Sequence, residues 1–166
     1  MFKKTPMRMV IAVDNSSASR KAMSHGMAMA DMLKDPPQVK IIYAIGLNPE
    51  QSKPIQFLDS LDRRNNMDIV EDSKGEVENI KGWLNEFSKK HGNYEFVTIQ
   101  RHEPVGQIIT QFLYDMPADM LVIGSSSRSS VSGMIKSLLG STCEYCIRHS
   151  PCPVTIVKQS DTKAAD

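Results

Sequence analysis

Cysteine is scarce in this chain, and the three present, Cys143, Cys146 and Cys152, fall within ten positions of one another. So few, so close together and odd in number, they argue against the disulfide framework of small secreted domains and fit a reducing compartment. Excess charge is also missing. Twenty Lys plus Arg stand against 19 Asp plus Glu, so no overall field draws the chain to nucleic acid or an anionic bilayer. Nowhere do about eighteen apolar residues follow one another, and the basic opening Met1-Phe2-Lys3-Lys4-Thr5-Pro6 lacks the apolar stretch of a secretory signal. The expectation is a soluble, cytoplasmic protein with no nucleic-acid or membrane partner. Three motifs are absent as well: Gly-x-x-x-x-Gly-Lys-[Ser/Thr], Gly-x-Gly-x-x-Gly and Gly-x-Ser-x-Gly. Their absence sets aside a P-loop NTPase, a standard dinucleotide fold and a nucleophile-elbow hydrolase.

What is there is an alternation of short apolar runs and amphipathic stretches. At 166 residues one domain is expected, spanning 1–158 and burying roughly two-thirds of its unfolded surface, with 159–166 as a disordered polar tail. Met9 to Val13 reads as a buried strand, and Asp14-Asn15-Ser16-Ser17 supplies cap chemistry for a helix to about Leu33, striped by Ala18, Ala22, Met23, Met27 and Ala30. Pro36-Pro37 precedes a second strand, Val39 to Ile45, then a weak stretch from Gly46 to about Met67 with a helical turn expected near Ile55 to Leu61. The stripe Val77, Ile80, Leu84, Phe87 marks a helix over roughly Asp68 to His91. A third strand, Tyr94 to Ile99, leads to a helix opened by Pro104 as its first residue. A fourth strand (Met120 to Ile123), a helix (Ser141 to His149) and a fifth strand (Val154 to Val157) complete the pattern. Strands separated by helices predict an α/β fold: a doubly wound parallel sheet with helices on both faces and a ligand crevice beyond the carboxyl ends of the strands.

The stretch from Gly124 to Thr142 carries most of the chemistry. It leaves a buried strand at Gly124, runs through Ser125, Ser126, Ser127, Arg128, Ser129 and Ser130, and closes at Gly140-Ser141-Thr142 before a helix. Glycines admit a ligand close to the backbone, hydroxyls and a guanidinium bind phosphate oxygens, and the first N–H groups of a helix attract anions. Serine content alone equally describes a flexible polar loop. Asp14, at the end of the first strand, reads either as a ligand residue or as a helix cap; Ser16 or Ser17 can cap in its place.

Together with Asp14 and Gly124, the segments Leu138-Leu139-Gly140-Ser141 and Arg148-His149-Ser150-Pro151-Cys152-Pro153-Val154 resemble the universal stress protein family, over nearly the whole chain. The resemblance implies a five-stranded sheet of order 3-2-1-4-5, dimerisation through Val154, Thr155, Ile156 and Val157, and ATP or AMP, with or without Mg²⁺, between strands one and four. It places Asp14 and Ala44 beside the adenosine, Gly124, Ser127 and Arg128 at the loop, and Gly140, Ser141 and Thr142 under the phosphates. The family's nucleotide-binding branch carries Gly-x2-Gly-x9-Gly-[Ser/Thr]. Here Ser127 stands at the second glycine and twelve residues separate it from Gly140; counting back from Gly140 aligns Ser127 and Ser130 with the two glycines instead. A branch without those glycines acts as a dimeric interaction module without nucleotide, which is the alternative expectation.

Cys143, Cys146 and His149 share one helix at intervals of three. They rise about 9 Å and fan around it, too widely for one zinc ion with bonds of about 2.0 to 2.3 Å, so buried thiols are expected instead. No catalytic pair is evident, and any ATP hydrolysis is expected to be slow.

Overall fold

In the computed structural model, which describes residues 5–48, 56–88, 94–125 and 139–159, the β-branched runs become five parallel strands. They are β1 (Arg8–Val13), β2 (Gln38–Gly46), β3 (Tyr94–Arg101), β4 (Met120–Ser125) and β5 (Val154–Lys158). Between them lie α1 (Ser17–Met32), α2 (Gln56–Ser88), α3 (Val105–Asp115) and α4 (Ser141–His149). The sheet order is β3-β2-β1-β4-β5, as expected from the sequence. Strand β1 is central, with Ile11 level with Ile41 of β2 and Val122 of β4, and all three side chains are fully buried.

Alternation along β1 and β2 splits the core in two. Met9, Ile11, Ile41 and Tyr43 face α1 and α2, whereas Val10, Ala12 and Ile42 face α3 and α4 with Ile109, Leu113 and Cys146. Burying both faces of a parallel sheet explains why the strands read as continuous apolar runs. Chain order proceeds outward from β1 through β2 to β3, then returns to β4 on the other side. The switch between β1 and β4 opens a crevice at the carboxyl end of the sheet.

Three boundaries differ from expectation. Helix α2 begins at Gln56, well upstream of the expected Asp68, and is described to Ser88, the expected end at His91 lying outside the described residues. Its contact with the core runs from Ile69 to Phe87, roughly 28 Å of helix, close to the roughly 30 Å length of β2. The turns upstream of Ile69 overhang the sheet rim, and there Asn48 N–H donates to Asn66 Oδ1 at 2.8 Å. Strand β4 continues through Gly124 to Ser125, because both residues pair with β5 at Val157 and Lys158. Pro104 is the N-cap of α3, not its first residue. Residues 49–55 of the expected excursion, the loop over 126–138 and the tail from 160 onward lie outside the described residues.

Candidate functional site

A cleft of about 420 Å³ opens where β1, β2 and β4 end. Its floor is low because Ala12 and Ala44 are small; Ile123, Val105 and Ile109 add apolar surface. Asp14, Ser19 and Gly124 stand at its β1–β4 rim, and Thr142 and Cys143 bring in the first turn of α4. The opposite wall comes from α2 through Ile69, Asp72, Ser73 and Glu76, with Tyr43 of β2 below them.

The start of α1 is closed by its own residues. Ser16 is the N-cap and accepts a hydrogen bond from Ser19 N–H at 3.1 Å. Asp14 Oδ1 accepts from Ser16 N–H (2.9 Å) and from the Ser19 hydroxyl (2.6 Å), while Asp14 N–H donates to Ser19 Oγ (2.9 Å). Capping by Ser16 was legible in the sequence, but it does not release Asp14. The carboxylate is tied into the same ring and still lines the cleft.

The start of α4 is open. Gly140 is its N-cap, in ordinary extended backbone (φ −65°, ψ 158°), and among the described residues no side chain caps the helix. A Cβ built on Gly140 would meet no atom within 4 Å. Nothing among the described residues demands glycine there, neither dihedral nor packing. Gly124 is the opposite case, and its expected role needs correction. It lies within β4 rather than at a turn, and a Cβ there would collide with the Ala18 carbonyl group. That glycine lets the first turn of α1 rest on β4. Its own carbonyl accepts the Cys143 thiol at 3.2 Å.

The thiols lie in the interior as expected, with Cys143 4 % and Cys146 0 % exposed. Burial pushes the Cys143 thiol above its usual range, with the nearby Asp14 charge adding to the effect. Burial, then Cys143, pushes Cys146 up to about 12. His149 holds the Tyr145 carbonyl at 2.9 Å through Nδ1 and stacks on that tyrosine at 4.0 Å. Tyr43 donates its hydroxyl to Glu76 at 2.5 Å. Burial first, then Glu76 and Asp14, raise its phenol well above 10, so Tyr43 remains a donor across the physiological range.

Of the residues expected at the site, Asp14, Ala44, Gly124 and Thr142 meet in this cleft. Gly140 and Ser141 stand at the head of α4 immediately before Thr142, and Ser127 and Arg128 lie outside the described residues. The α2 wall was missed. Its one signal in the sequence is the spacing of Asp72 and Glu76, four apart and therefore on one helix face, beside the apolar stripe. Among the described residues no group of three or more His, Cys, Asp or Glu could hold a metal ion. Likewise, no described helix is long and apolar enough to cross a membrane.

A profile of the universal stress protein family matches residues 6–158. The universal stress protein MJ0531 of Methanocaldococcus jannaschii is 25 % identical over 152 residues, covering 92 % of this chain and 82 % of the relative. Three solved structures share the fold. A family member from Arabidopsis thaliana with AMP bound has a TM-score of 0.60 at 16 % identity, over 97 % of both chains. The Archaeoglobus fulgidus protein in complex with dAMP has a TM-score of 0.57 at 16 % identity, over 92 % of this chain and 98 % of that one. A universal stress protein in complex with cAMP has a TM-score of 0.53 at 18 % identity, over 95 % and 100 %.

Proposed function

The chain belongs to the universal stress protein family, and from that premise we propose that it is a small stress-response regulatory protein binding an adenine nucleotide, AMP or ATP, in the cleft between β1 and β4. The observation that carries this reading is that, among the described residues, the start of α4 is uncapped and its glycine has no neighbour that a side chain would meet, at the mouth of a cleft floored by two alanines. A helix start with unclaimed N–H groups favours phosphate. A glycine unexplained by the fold is explained by close approach of a ligand. Three structural neighbours hold AMP, dAMP or cAMP, each an adenine nucleotide carrying one phosphate.

The flat base fits over Ala12 and Ala44. Asp14 uses only Oδ1 for its recorded bonds, so Oδ2 can accept from a ribose hydroxyl. Gly140, Ser141 and the Thr142 hydroxyl face the phosphate, with Ser127 and Arg128 as the remaining contacts. Any Mg²⁺ would be held chiefly through phosphate oxygens. The nucleotide acts here as a signal, and turnover is at most slow. Two copies pair through the outer edge of β5, whose described strand partner is β4 on the other side and whose Val154 to Ile156 are half-buried.

Calorimetric titration tests the ligand: saturable heat and a raised melting temperature with AMP or ATP are expected. No heat and an unchanged melt at millimolar nucleotide would leave the dimeric module without nucleotide. Sedimentation tests the assembly, with a dimer expected for the natural chain and a monomer for Ile156→Lys.

A further inference from the structure

We infer that Cys143 is a positioning residue of the nucleotide cleft: its thiol bonds the Gly124 carbonyl and so sets where the first turn of α4 stands relative to Asp14. The inference rests on the nucleotide reading above and concerns what fixes the phosphate end of that site.

Strands β1 and β4 part at the cleft, and two bonds mark the parting. Their register ends with Ala12 level with Ile123, whereas β4 and β5 continue to Ser125 and Lys158. The Ser125 carbonyl accepts Gln159 N–H at 3.1 Å on the β5 side. Successive carbonyls of a strand alternate in direction, so that of Gly124 points to the β1 side. The next donor along β1 would be Asp14 N–H, but it turns to Ser19 Oγ at 2.9 Å. The Gly124 carbonyl takes the Cys143 thiol instead, at 3.2 Å. Each strand end thus hands its ladder bond to a helix that starts beside it, β1 to α1 and β4 to α4.

Cys143 is the third residue of α4, directly after Ser141 and Thr142, and is 4 % exposed. Its bond to β4 therefore holds the same turn whose N–H groups face the proposed phosphate. Across the parting, Asp14 at the proposed ribose is held by Ser16 and Ser19. A nucleotide must span the gap between these two fixed points, and the bond from Cys143 to Gly124 sets that gap. Burial, with Asp14 adding to it, raises the thiol above its usual range, so it stays protonated and keeps donating at physiological pH. Cys146, one turn on and fully buried, anchors the rest of the helix. Loss of the thiol bond should therefore shift the first turn without freeing α4.

The test is titration of the natural chain, Cys143→Ala and Cys143→Ser with AMP and with adenosine, which lacks the phosphate and is read by its competition with AMP. Melting curves will verify folding. Alanine should weaken AMP binding about fivefold and leave adenosine within about twofold. Serine, which returns a hydroxyl donor to the same Cβ, should restore most of the AMP affinity. AMP affinity unchanged by alanine, a loss that serine leaves in place, or an equal loss for adenosine overturns the inference alone. If alanine does not fold, Cys143→Val, which fills the space without a donor, takes its place. Failure of both to fold overturns the inference, since the thiol then serves the fold as a whole. A natural chain that binds no AMP overturns the nucleotide reading itself.

Discussion

Two helices begin at the rim of the same cleft, and they begin differently. The first turn of α1 is closed by a ring of Asp14, Ser16 and Ser19 and rests on Gly124. Among the described residues, the first turn of α4 has no side-chain cap and starts at a glycine that no neighbouring atom crowds. Both glycines suggest phosphate binding when read as letters, yet one serves packing and the other is free to serve a ligand. Close approach of backbone is required at Gly124, where the neighbour is Ala18; at Gly140 the proposed neighbour is the nucleotide. A closed start contributes stability, and an open one leaves hydrogen-bonding capacity for something else.

The comparison can be broken most forcefully at Gly124. Alanine there drives Cβ into the backbone of Ala18, which only movement of α1 can relieve. We expect Gly124→Ala to cost about 3 kcal/mol and lower the melting temperature by about 10 °C. A melt indistinguishable from that of the natural chain would show that α1 yields freely.

The α4 side carries its own stability signature. An unfolded chain releases the Cys146 proton near its ordinary value of 9.0, whereas the folded chain keeps it to about 12. The contribution is therefore complete below pH 9 and declines as pH climbs toward 12, by about 3 kcal/mol at pH 11. Denaturant titrations between pH 8 and 11 should show this decline, and Cys146→Ala should flatten it. An equal slope in the variant would refute the assignment.

At Gly140 the expected effect moves from folding to binding. Its extended dihedrals and empty surroundings let Gly140→Val fold with stability changed by less than about 0.5 kcal/mol. Nucleotide affinity should fall at least tenfold, about 1.4 kcal/mol. If affinity is retained, the open start of α4 is not where phosphate sits.

The smallest effect belongs to the cap. Ser16→Ala removes the acceptor for Ser19 N–H and should cost about 1 kcal/mol. Combined with Gly124→Ala the loss should fall short of the sum, since both disturb the same turn of α1. Additive losses in denaturation would mean that cap and packing are independent.

Strands and most helix bodies were legible because their signals are local. Met9 to Val13 and Met120 to Ile123 are apolar runs wherever they stand, and sheet order followed from resemblance to a known family. The start of α2 was only partly legible: a helical turn was expected near Ile55 to Leu61, but the polar stretch Asp62 to Asn66 hid that this turn and the helix from Asp68 are one element. Half the cleft was visible in Asp14, Ala44, Gly124 and Thr142. Its other half was hidden because Asp72 and Glu76 look like a solvated helix face until α2 is laid across Tyr43. The purpose of Gly124 was hidden for a related reason: a contact with Ala18, more than a hundred positions away, leaves no local trace.

The overhang of α2 has a consequence for amide exchange. From Ile69 to Phe87 the helix lies on the sheet, while farther upstream its described contact is that of Asn66 with Asn48, just past the end of β2. One uninterrupted helix should therefore keep two clocks. Amides before Ile69 trade deuterium through local fraying, and those around Ile80 and Leu84 wait for the whole domain to open.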